Sequence, residues 1–239
     1  MLGSNLLKCF IKMSKSNYID VVYNPNIKPF TNYPAKLINY LIKRYKLVKN
    51  SSLLELGCGR GEFLKEFIDQ GMIGYGVDIS DYAKSYCKDG KIVLCDLSKQ
   101  KLPFSDNYFD IIYSKSFVEH FYYPEIIFEE AYRVLKPGGI IITLTPEWNY
   151  IYKSFYEDYS HRTPFTKVSL KDIHLISNFN NVKVESFKQL PILWKKNYYI
   201  YIIKLLSFLT RILIPDYFRL KIKWIRFSKE LMLLSSAHK

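Results

Sequence analysis

The chain has 239 residues, of which 49% are hydrophobic and 17% aromatic, so it can bury the core of one α/β domain with an appendage but not of two large domains. Its formal net charge of +13 is uneven, because residues 1–50 and 188–229 are strongly basic whereas residues 51–187 carry 15 basic and 19 acidic side chains. A mildly acidic centre argues against a nucleic-acid substrate. Four cysteines without a Cys-x-x-Cys spacing argue against a disulfide framework or a zinc site.

The N-terminal residues 1–50 are predicted to form a leader followed by a covering helix. The apolar run at 6–12 is short, is interrupted by lysine and lacks the cleavage-like site of a signal peptide, so we expect a cytoplasmic protein. Apolar residues then recur every three or four positions over 34–45, which predicts an amphipathic helix. Tyr18 and Tyr33 could close over a ligand, although aromatic residues in such a leader more often serve packing.

A glycine-rich turn follows the first predicted strand. Residues 53–56 are almost wholly apolar, which is typical of a strand buried in a parallel sheet, and Gly57, Gly59 and Gly61 come next at alternate positions. Glycine permits backbone angles and close approaches that a Cβ would block. The turn can therefore lie against a ligand.

Two further predicted strands end in acids. After a crossover helix over 63–68, the strand at 74–79 carries Asp78, where a doubly wound fold places a ribose-binding carboxylate. A short helix over 81–88 leads to a third strand that ends at Asp96. Asp96, followed by the apolar Leu97, could accept a hydrogen bond from an adenine amino group. A solvated turn aspartate is the alternative.

The remaining elements continue the strand–helix alternation. The segment 136–139, Lys-Pro-Gly-Gly, reads as a helix stop signal. Short strand–helix repeats of this kind imply a parallel, doubly wound sheet. The predicted elements are strands at 109–114, 140–145, 182–187 and 230–237, and helices at 124–135 and from Ser169 to Ile176.

Four motifs stand in order along residues 52–146. They are Glu55 with Gly57, Gly59 and Gly61; Gly76, Val77 and Asp78; Phe109 and Asp110 running to Glu119 and His120; and Arg-Val-Leu-Lys-Pro-Gly-Gly at 133–139. Together they resemble the class I S-adenosylmethionine-dependent methyltransferases of the methyltransferase-11 kind. The resemblance implies a Rossmann-like, mostly parallel seven-stranded α/β sheet with an antiparallel last strand and a helical insertion before it.

The resemblance also implies S-adenosylmethionine as cofactor. This ligand has no pyrophosphate, and a carboxylate such as Glu55 can favour its cationic end. Backbone around Ser114 would line the sulfonium side. The expected cofactor-binding residues are Glu55, Gly57, Cys58, Gly59, Gly61, Asp78, Ile79, Asp96, Leu97 and Ser114.

The acceptor side is expected in the aromatic loop at 147–167, which is too long for a plain connection. Its segment 158–166 is similar to one found after the fifth strand in methyltransferases that modify sugars and surface glycans. A hydroxyl acceptor must lose its proton, and histidine can accept one near neutral pH. His161 and His120 are therefore the catalytic candidates, with Glu119, Glu157 or Asp158 orienting one of them.

Structural roles remain open for both histidines: His120 as a helix-start residue that shapes the pocket, and His161 as a hydrogen-bonded clasp of the loop. The same carboxylates and histidines could hold a divalent metal. No compact ligand spacing supports that, so we predict no metal site.

The insertion at 188–229 combines aromatic, apolar and basic residues. Over 198–214 a broad apolar face opposes a narrow polar stripe of Asn197, Lys204 and Arg211, and beyond Pro215 the side chains of Arg219, Lys223 and Arg226 share a face. No apolar run approaches the roughly 20 residues of a spanning helix. Residues 192–228 therefore predict either peripheral contact with a membrane, with a lipid-linked acceptor, or a lid on the sheet.

We conclude that residues 51–187 and 230–239 form the core of an S-adenosylmethionine-dependent methyltransferase that O-methylates a sugar or glycan-linked hydroxyl. Two alternatives stay open. One is a methyltransferase for a lipid or aromatic small molecule, and the other is a cofactor-binding scaffold without turnover.

Overall fold

The computed structural model describes residues 28–194, 199–218 and 222–239. Residues 32–239 form one compact unit. The leader with Tyr18 and the apolar run at 6–12 lie outside the described residues, as do Asn197, Tyr198 and Arg219 of the insertion.

The centre of the fold is a seven-stranded sheet in the order β3-β2-β1-β4-β5-β7-β6. Its last strand, β7, runs antiparallel to both β5 and β6, while the pairs from β3 to β5 are parallel. The predicted fold class is confirmed. The strands are β1 (Ser52–Leu56), β2 (Ile73–Asp78), β3 (Lys91–Leu94), β4 (Phe109–Lys115), β5 (Leu135–Pro146), β6 (Asn180–Phe187) and β7 (Met232–His238).

Eight α-helices surround the sheet in the part of the chain that the structure describes. They are α1 (Tyr33–Tyr45), α2 (Glu62–Asp69), α3 (Ala83–Tyr86), α4 (Pro124–Val134), α5 (Trp148–Ile151), α6 (Lys167–Ile176), α7 (Ile200–Leu213) and α8 (Lys223–Lys229). Short 3₁₀ turns lie at Val118–His120, Phe155–Glu157, Pro191–Trp194 and Asp216–Phe218. None of the helices within these described ranges is long and apolar enough to cross a membrane.

The sheet is buried on both faces, as the apolar strands predict. On one face, Leu53 packs with Leu37 of α1 and Phe67 of α2. On the other face, Leu54 packs in a cluster with Phe128 of α4 and further residues of α4 and α6. Successive residues of β1 thus enter opposite layers, because strand side chains alternate between the two faces.

Several observed boundaries differ from the predicted ones. The Lys-Pro-Gly-Gly segment does end helix α4, which stops at Val134, but β5 begins at Leu135 and not at 140, and within it Gly138 N donates to Lys239 O and Lys239 N donates to Gly139 O, at 3.0 and 3.3 Å. The C-terminal end of the chain therefore extends the ladder over this segment. Helix α6 begins two residues early because Thr166 caps it in a reciprocal pair with Ser169. The helix expected over 81–88 is a single turn.

Candidate active site

The glycine turn lies at the carboxyl end of β1, beside the end of β2. The amides of Gly57 and Cys58 both donate to Val77 O, at 2.9 and 3.1 Å, and Gly61 N donates to Cys58 O at 2.7 Å. Gly57, Gly59 and Gly61 have φ of 70°, 50° and 79°. These are left-handed values that favour glycine, which explains the alternate spacing.

Asp78 braces this turn from the end of β2. Its Oδ2 accepts from Gly59 N at 2.8 Å and its Oδ1 accepts from Ser80 N at 3.0 Å. Burial raises the pKa of the Asp78 carboxyl, against the opposing effect of the amides of Gly59, Ser80 and Ile79. The predicted ribose-binding acid therefore also fixes the shape of the loop, while the Ile79 side chain next to it is 69% exposed.

The three positions differ in why they require glycine. A Cβ at Gly57 would lie 2.2 Å from the Phe117 ring, and one at Gly61 would lie 2.9 Å from Cys87 Cβ next to α3. A Cβ at Gly59 would meet no atom of the described residues within 4 Å. Gly57 and Gly61 are thus required by protein packing, whereas Gly59 borders open space in which a ligand can lie.

Buried polar atoms without partners lie beside the turn. Within the described residues, neither Glu55 Oε2 nor Ser114 Oγ makes a hydrogen bond, although Glu55 is 2% exposed and Ser114 is 1% exposed. Burial, and then the neighbouring Asp78, raise the pKa of Glu55. Buried polar atoms are nearly always paired, so these two fit a polar ligand between the ends of β1 and β4.

Asp96 already has local partners. Its carboxylate accepts from Lys99 Nζ at 2.6 Å and from Ser98 N at 3.1 Å. Lys99 and then the Ser98 hydroxyl hold the pKa of Asp96 below its usual range. These contacts are typical of a turn aspartate, the alternative to a hydrogen bond with adenine. The neighbouring Leu97 is buried.

Three side chains that the sequence suggested for the acceptor side converge. One ligand atom from each of Glu119, His120 and His161 lies within 4.8 Å of the others. We call these residues the Glu–His–His cluster. The main chain holds it together, because Arg162 N and Thr163 N both donate to Glu119 O, at 2.8 and 3.0 Å. His120 lies in a 3₁₀ turn rather than at the start of a helix.

Glu119 is the buried member of the cluster, with none of its surface exposed. Its Oε2 accepts from Thr145 Oγ1 at 3.0 Å, whereas Oε1 has no hydrogen-bond partner among the described residues. Burial raises the pKa of Glu119 to about 7. The cluster therefore contains a carboxyl that can gain or lose a proton near neutral pH.

The two histidines are oriented by their own hydrogen bonds. His161 Nδ1 lies 2.6 Å from Phe155 O, and because a carbonyl only accepts, Nδ1 carries a proton, which leaves Nε2 as the atom with the lone pair in the neutral form of the ring. His120 Nδ1 lies 3.0 Å from Ser160 Oγ, which itself lies 2.5 Å from Asp158 Oδ1. Burial lowers the pKa of His120, which favours the neutral form of its ring.

The sequence did not point to Lys115, Phe117 or Thr145. Lys115 follows Ser114 at the end of β4, and burial lowers its pKa to about 8 while Glu119 and Glu55 oppose that effect. A lysine as the last residue of a mostly apolar strand is a signal that could have been noticed. Phe117 and Thr145 reach the site only through the fold, so no local pattern marks them.

The expectation of no metal site rested on the absence of a compact spacing in the sequence. His161 is 41 positions beyond His120, yet their ring centroids lie 4.9 Å apart. The fold, and not the local sequence, creates the compact group.

Comparisons with known proteins agree with this architecture. Residues 54–143 match the family model described as a methyltransferase domain. The chain is 32% identical over 120 residues to sterol 24-C-methyltransferase erg6 of Schizosaccharomyces pombe, covering 46% of this chain and 32% of that protein. It is 26% identical over 159 residues to phosphoethanolamine N-methyltransferase 2 of Caenorhabditis elegans, covering 61% and 36%. The chain thus spans about a third of the length of these curated relatives.

Solved structures show the same fold. A SAM-dependent methyltransferase from Archaeoglobus fulgidus has a TM-score of 0.62 at 21% identity, covering 93% of this chain and 100% of that one. Phosphoethanolamine N-methyltransferase 2 of Haemonchus contortus, solved with phosphomonomethylethanolamine and S-adenosylhomocysteine, has a TM-score of 0.62 at 20% identity, covering 85% and 52%.

Proposed function

We propose that the protein is an S-adenosylmethionine-dependent methyltransferase that O-methylates a sugar or glycan-linked hydroxyl presented at a membrane surface. The proposal rests on one observation: the glycine turn and the Glu–His–His cluster lie next to each other. Phe117 packs on Gly57 of the glycine turn, two residues before Glu119, and Lys115 interacts electrostatically with both Glu55 and Glu119. A ligand cradle and a group able to take up a proton therefore share one end of the sheet.

The cradle suits this cofactor. When bound, S-adenosylmethionine supplies an electrophilic methyl group on a positively charged sulfur. Glu55 would ionise and favour that charge, and the main chain at Gly59 leaves room for a close approach. Asp78 keeps enough lone pairs for a ribose hydroxyl while it accepts from the turn.

The Glu–His–His cluster would receive the acceptor hydroxyl. His161 Nε2 can accept its proton, because Phe155 O fixes the tautomer and the orientation of the ring. The methyl carbon is then attacked in line, so positioning contributes much of the rate. Exposed tyrosines of the adjoining loop, Tyr150, Tyr152, Tyr156 and Tyr159, offer flat apolar faces with a polar tip that suit a sugar ring.

Helix α7 supports the membrane part of the proposal because it buries a polar residue and exposes its large apolar ones. Its buried residue is Ser207, which bonds to Ser228 Oγ at 3.0 Å and accepts from Lys188 Nζ at 2.8 Å. Arg211 lies over the Tyr150 ring, 4.8 Å from its centroid. Large apolar side chains face outward instead: Tyr201, Ile202, Leu205, Leu206, Phe208, Leu209, Ile212 and Leu213.

A lid packed on the sheet would bury its apolar face, whereas α7 exposes it. By composition, residues 188–229 carry ten basic side chains and one acidic one, which suits binding to anionic headgroups. We therefore propose an anionic bilayer as the occupant of this face, with the helix lying in the interface. An acceptor carried on a lipid would then reach the site from the membrane.

The activity is tested by release of S-adenosylhomocysteine. The full chain is incubated with S-adenosylmethionine and with membrane or soluble small-molecule extracts, with Asp78→Ala as the control. Product that depends on the membrane extract supports the proposal. Binding without product in any extract indicates a scaffold. Product without a methylated sugar indicates a lipid or aromatic acceptor, an alternative that the named sterol and phosphoethanolamine relatives favour.

Membrane contact is tested separately by co-sedimentation with anionic and neutral vesicles. Wild type should sediment with anionic vesicles, and the double variant Leu205→Glu, Ile212→Glu should stay in the supernatant. Ile176→Glu is the control, since Ile176 is 73% exposed and belongs to α6, outside residues 188–229. Equal sedimentation of all three proteins would contradict the proposal, as would sedimentation with neutral vesicles that salt leaves unchanged.

A further inference from the structure

The Glu–His–His cluster offers the donor set of a metal site. It contributes two imidazole nitrogens and one carboxylate oxygen, all within 4.8 Å of one another. Two histidines and a glutamate with an open coordination position are a known catalytic zinc arrangement. The three ligands come from one 3₁₀ turn and one loop that main-chain hydrogen bonds from Arg162 and Thr163 fasten together.

Each ligand is held by a second residue, as metal ligands usually are. Phe155 O orients His161 through Nδ1, and Thr145 Oγ1 donates to one oxygen of Glu119. His120 is oriented through Ser160, whose hydroxyl reaches the Asp158 carboxylate. Such partners fix the rings and raise the basicity of the ligand atoms.

An independent observation is the orphaned oxygen of Glu119. Its Oε1 is fully buried and accepts no hydrogen bond from the described residues. An unsatisfied buried acceptor opposes folding, and more strongly if it is charged. A cation would satisfy it directly, which no other polar group in the described part of the site does.

We infer that Glu119, His120 and His161 bind one divalent cation of the kind that imidazole ligates, such as Zn²⁺ or Co²⁺. Two imidazoles make Mg²⁺ and Ca²⁺, which prefer oxygen, poor occupants. Bonds of about 2.1 Å place tetrahedral donors roughly 3.4 Å apart, so the ion would draw ligand atoms that now lie within 4.8 Å of one another together by at most about 1.4 Å.

The role of the ion rests on the proposed function. It would hold the acceptor oxygen at its open position and lower the pKa of that hydroxyl, whose proton leaves to solvent. The oxygen then bonds to the methyl carbon as the bond between sulfur and methyl breaks. The ion keeps its oxidation state. It would replace His161 as the group that ionises the acceptor.

The test measures metal uptake and needs no turnover. Chelator-treated full-length protein is titrated with CoCl₂, following visible absorption, and with ZnCl₂ by calorimetry. We expect one ion per chain in wild type, uptake at least about 100-fold weaker in Glu119→Gln and His161→Ala, and about tenfold weaker in Ser160→Ala, which removes only an orienting contact. His238→Ala, outside the cluster, should match wild type.

S-adenosylhomocysteine binding by each variant reports that the fold and the cofactor site survive. No uptake in wild type, or equal uptake in Glu119→Gln, His161→Ala and wild type, would overturn the inference. Methyl transfer that resists the chelator would leave His161 as the base and the proposed function standing. Loss of cofactor binding in wild type would instead defeat the proposed function alone.

Discussion

Gly57 and Gly59 lie two residues apart in the same turn, yet the structure predicts different effects of substitution by alanine. Gly57→Ala should mainly lower stability, whereas Gly59→Ala should mainly weaken cofactor binding. Both glycines have left-handed φ, so alanine is strained at either position. Only at Gly57 does the new Cβ meet protein, 2.2 Å from the Phe117 ring. At Gly59 it enters open space.

The two variants should differ in how much stability they lose. A left-handed alanine costs about 1–2 kcal/mol, and forcing Phe117 aside adds about 1–3 kcal/mol of overpacking. Gly57→Ala should therefore lower the free energy of unfolding by roughly 2–5 kcal/mol and Gly59→Ala by roughly 1–2. At about 2–4 °C per kcal/mol for a domain of this size, Tm falls by roughly 10 °C in the first variant and roughly 4 °C in the second.

Cofactor affinity should show the reverse order once folding is accounted for. The Cβ of Gly59→Ala occupies space assigned to the ligand, so S-adenosylhomocysteine should bind at least about tenfold more weakly, or about 1.4 kcal/mol. Thermal unfolding and calorimetry on the same preparations measure both quantities. If Gly59→Ala lost stability as Gly57→Ala does, or bound the product with wild-type affinity, the reasoning about the turn would be wrong.

Three further outcomes are expected. Asp78→Ala removes the acceptor for Gly59 N and Ser80 N and should weaken cofactor binding at least about tenfold by calorimetry. His161→Ala should spare that affinity but lower turnover roughly 100-fold, and unchanged turnover would remove it from the catalytic residues. Burial lowers the pKa of His174 to about 4, whereas the pKa of the same group in the unfolded chain is about 6.5. The contribution of the neutral buried ring to stability is therefore complete above pH 6.5 and is lost as the pH falls towards 4. That loss is about 3 kcal/mol, and urea unfolding of His174→Gln should lack it.

The sheet could be predicted because its signals are local. An apolar run followed by glycine marks the end of β1, and apolar runs that close on an acid mark the ends of β2 and β3. The four ordered motifs that resemble a methyltransferase domain all lie within residues 54–143, which match that family model. The errors fall where a distant partner decides the outcome. Lys239 pairs with the segment after α4, so β5 begins five residues earlier than predicted, at Leu135 and not at 140.

The site was less predictable for the same reason. Both histidines were identified, but their proximity depends on main-chain bonds from Arg162 and Thr163 to Glu119, which no spacing encodes. The tautomer of His161 depends on Phe155 O. The roles assigned to individual site residues stay predictions, because sequence identifies the chemical type of a side chain and geometry decides what it faces.

Buried polar atoms without hydrogen-bond partners lie on both the cofactor side and the acceptor side of the proposed site. Glu55 Oε2, Ser114 Oγ and Glu119 Oε1 are buried without partners among the described residues, and all three lie at or just beyond the carboxyl ends of β1 and β4. Each opposes folding by about 1–3 kcal/mol, so a sequence shaped by stability alone would pair them or replace them with apolar groups. Side-chain atoms of Tyr113, Thr143, Glu147, Ser177 and Ser186 are also buried without partners among the described residues, so such atoms are not confined to this end of the sheet. At Glu55, Ser114 and Glu119 the missing partners are explained if ligands supply them, the methyl donor at Glu55 and Ser114 and a cation or acceptor at Glu119. Stability given up in the free protein is then regained on binding, which makes this end of the sheet responsive to its ligands.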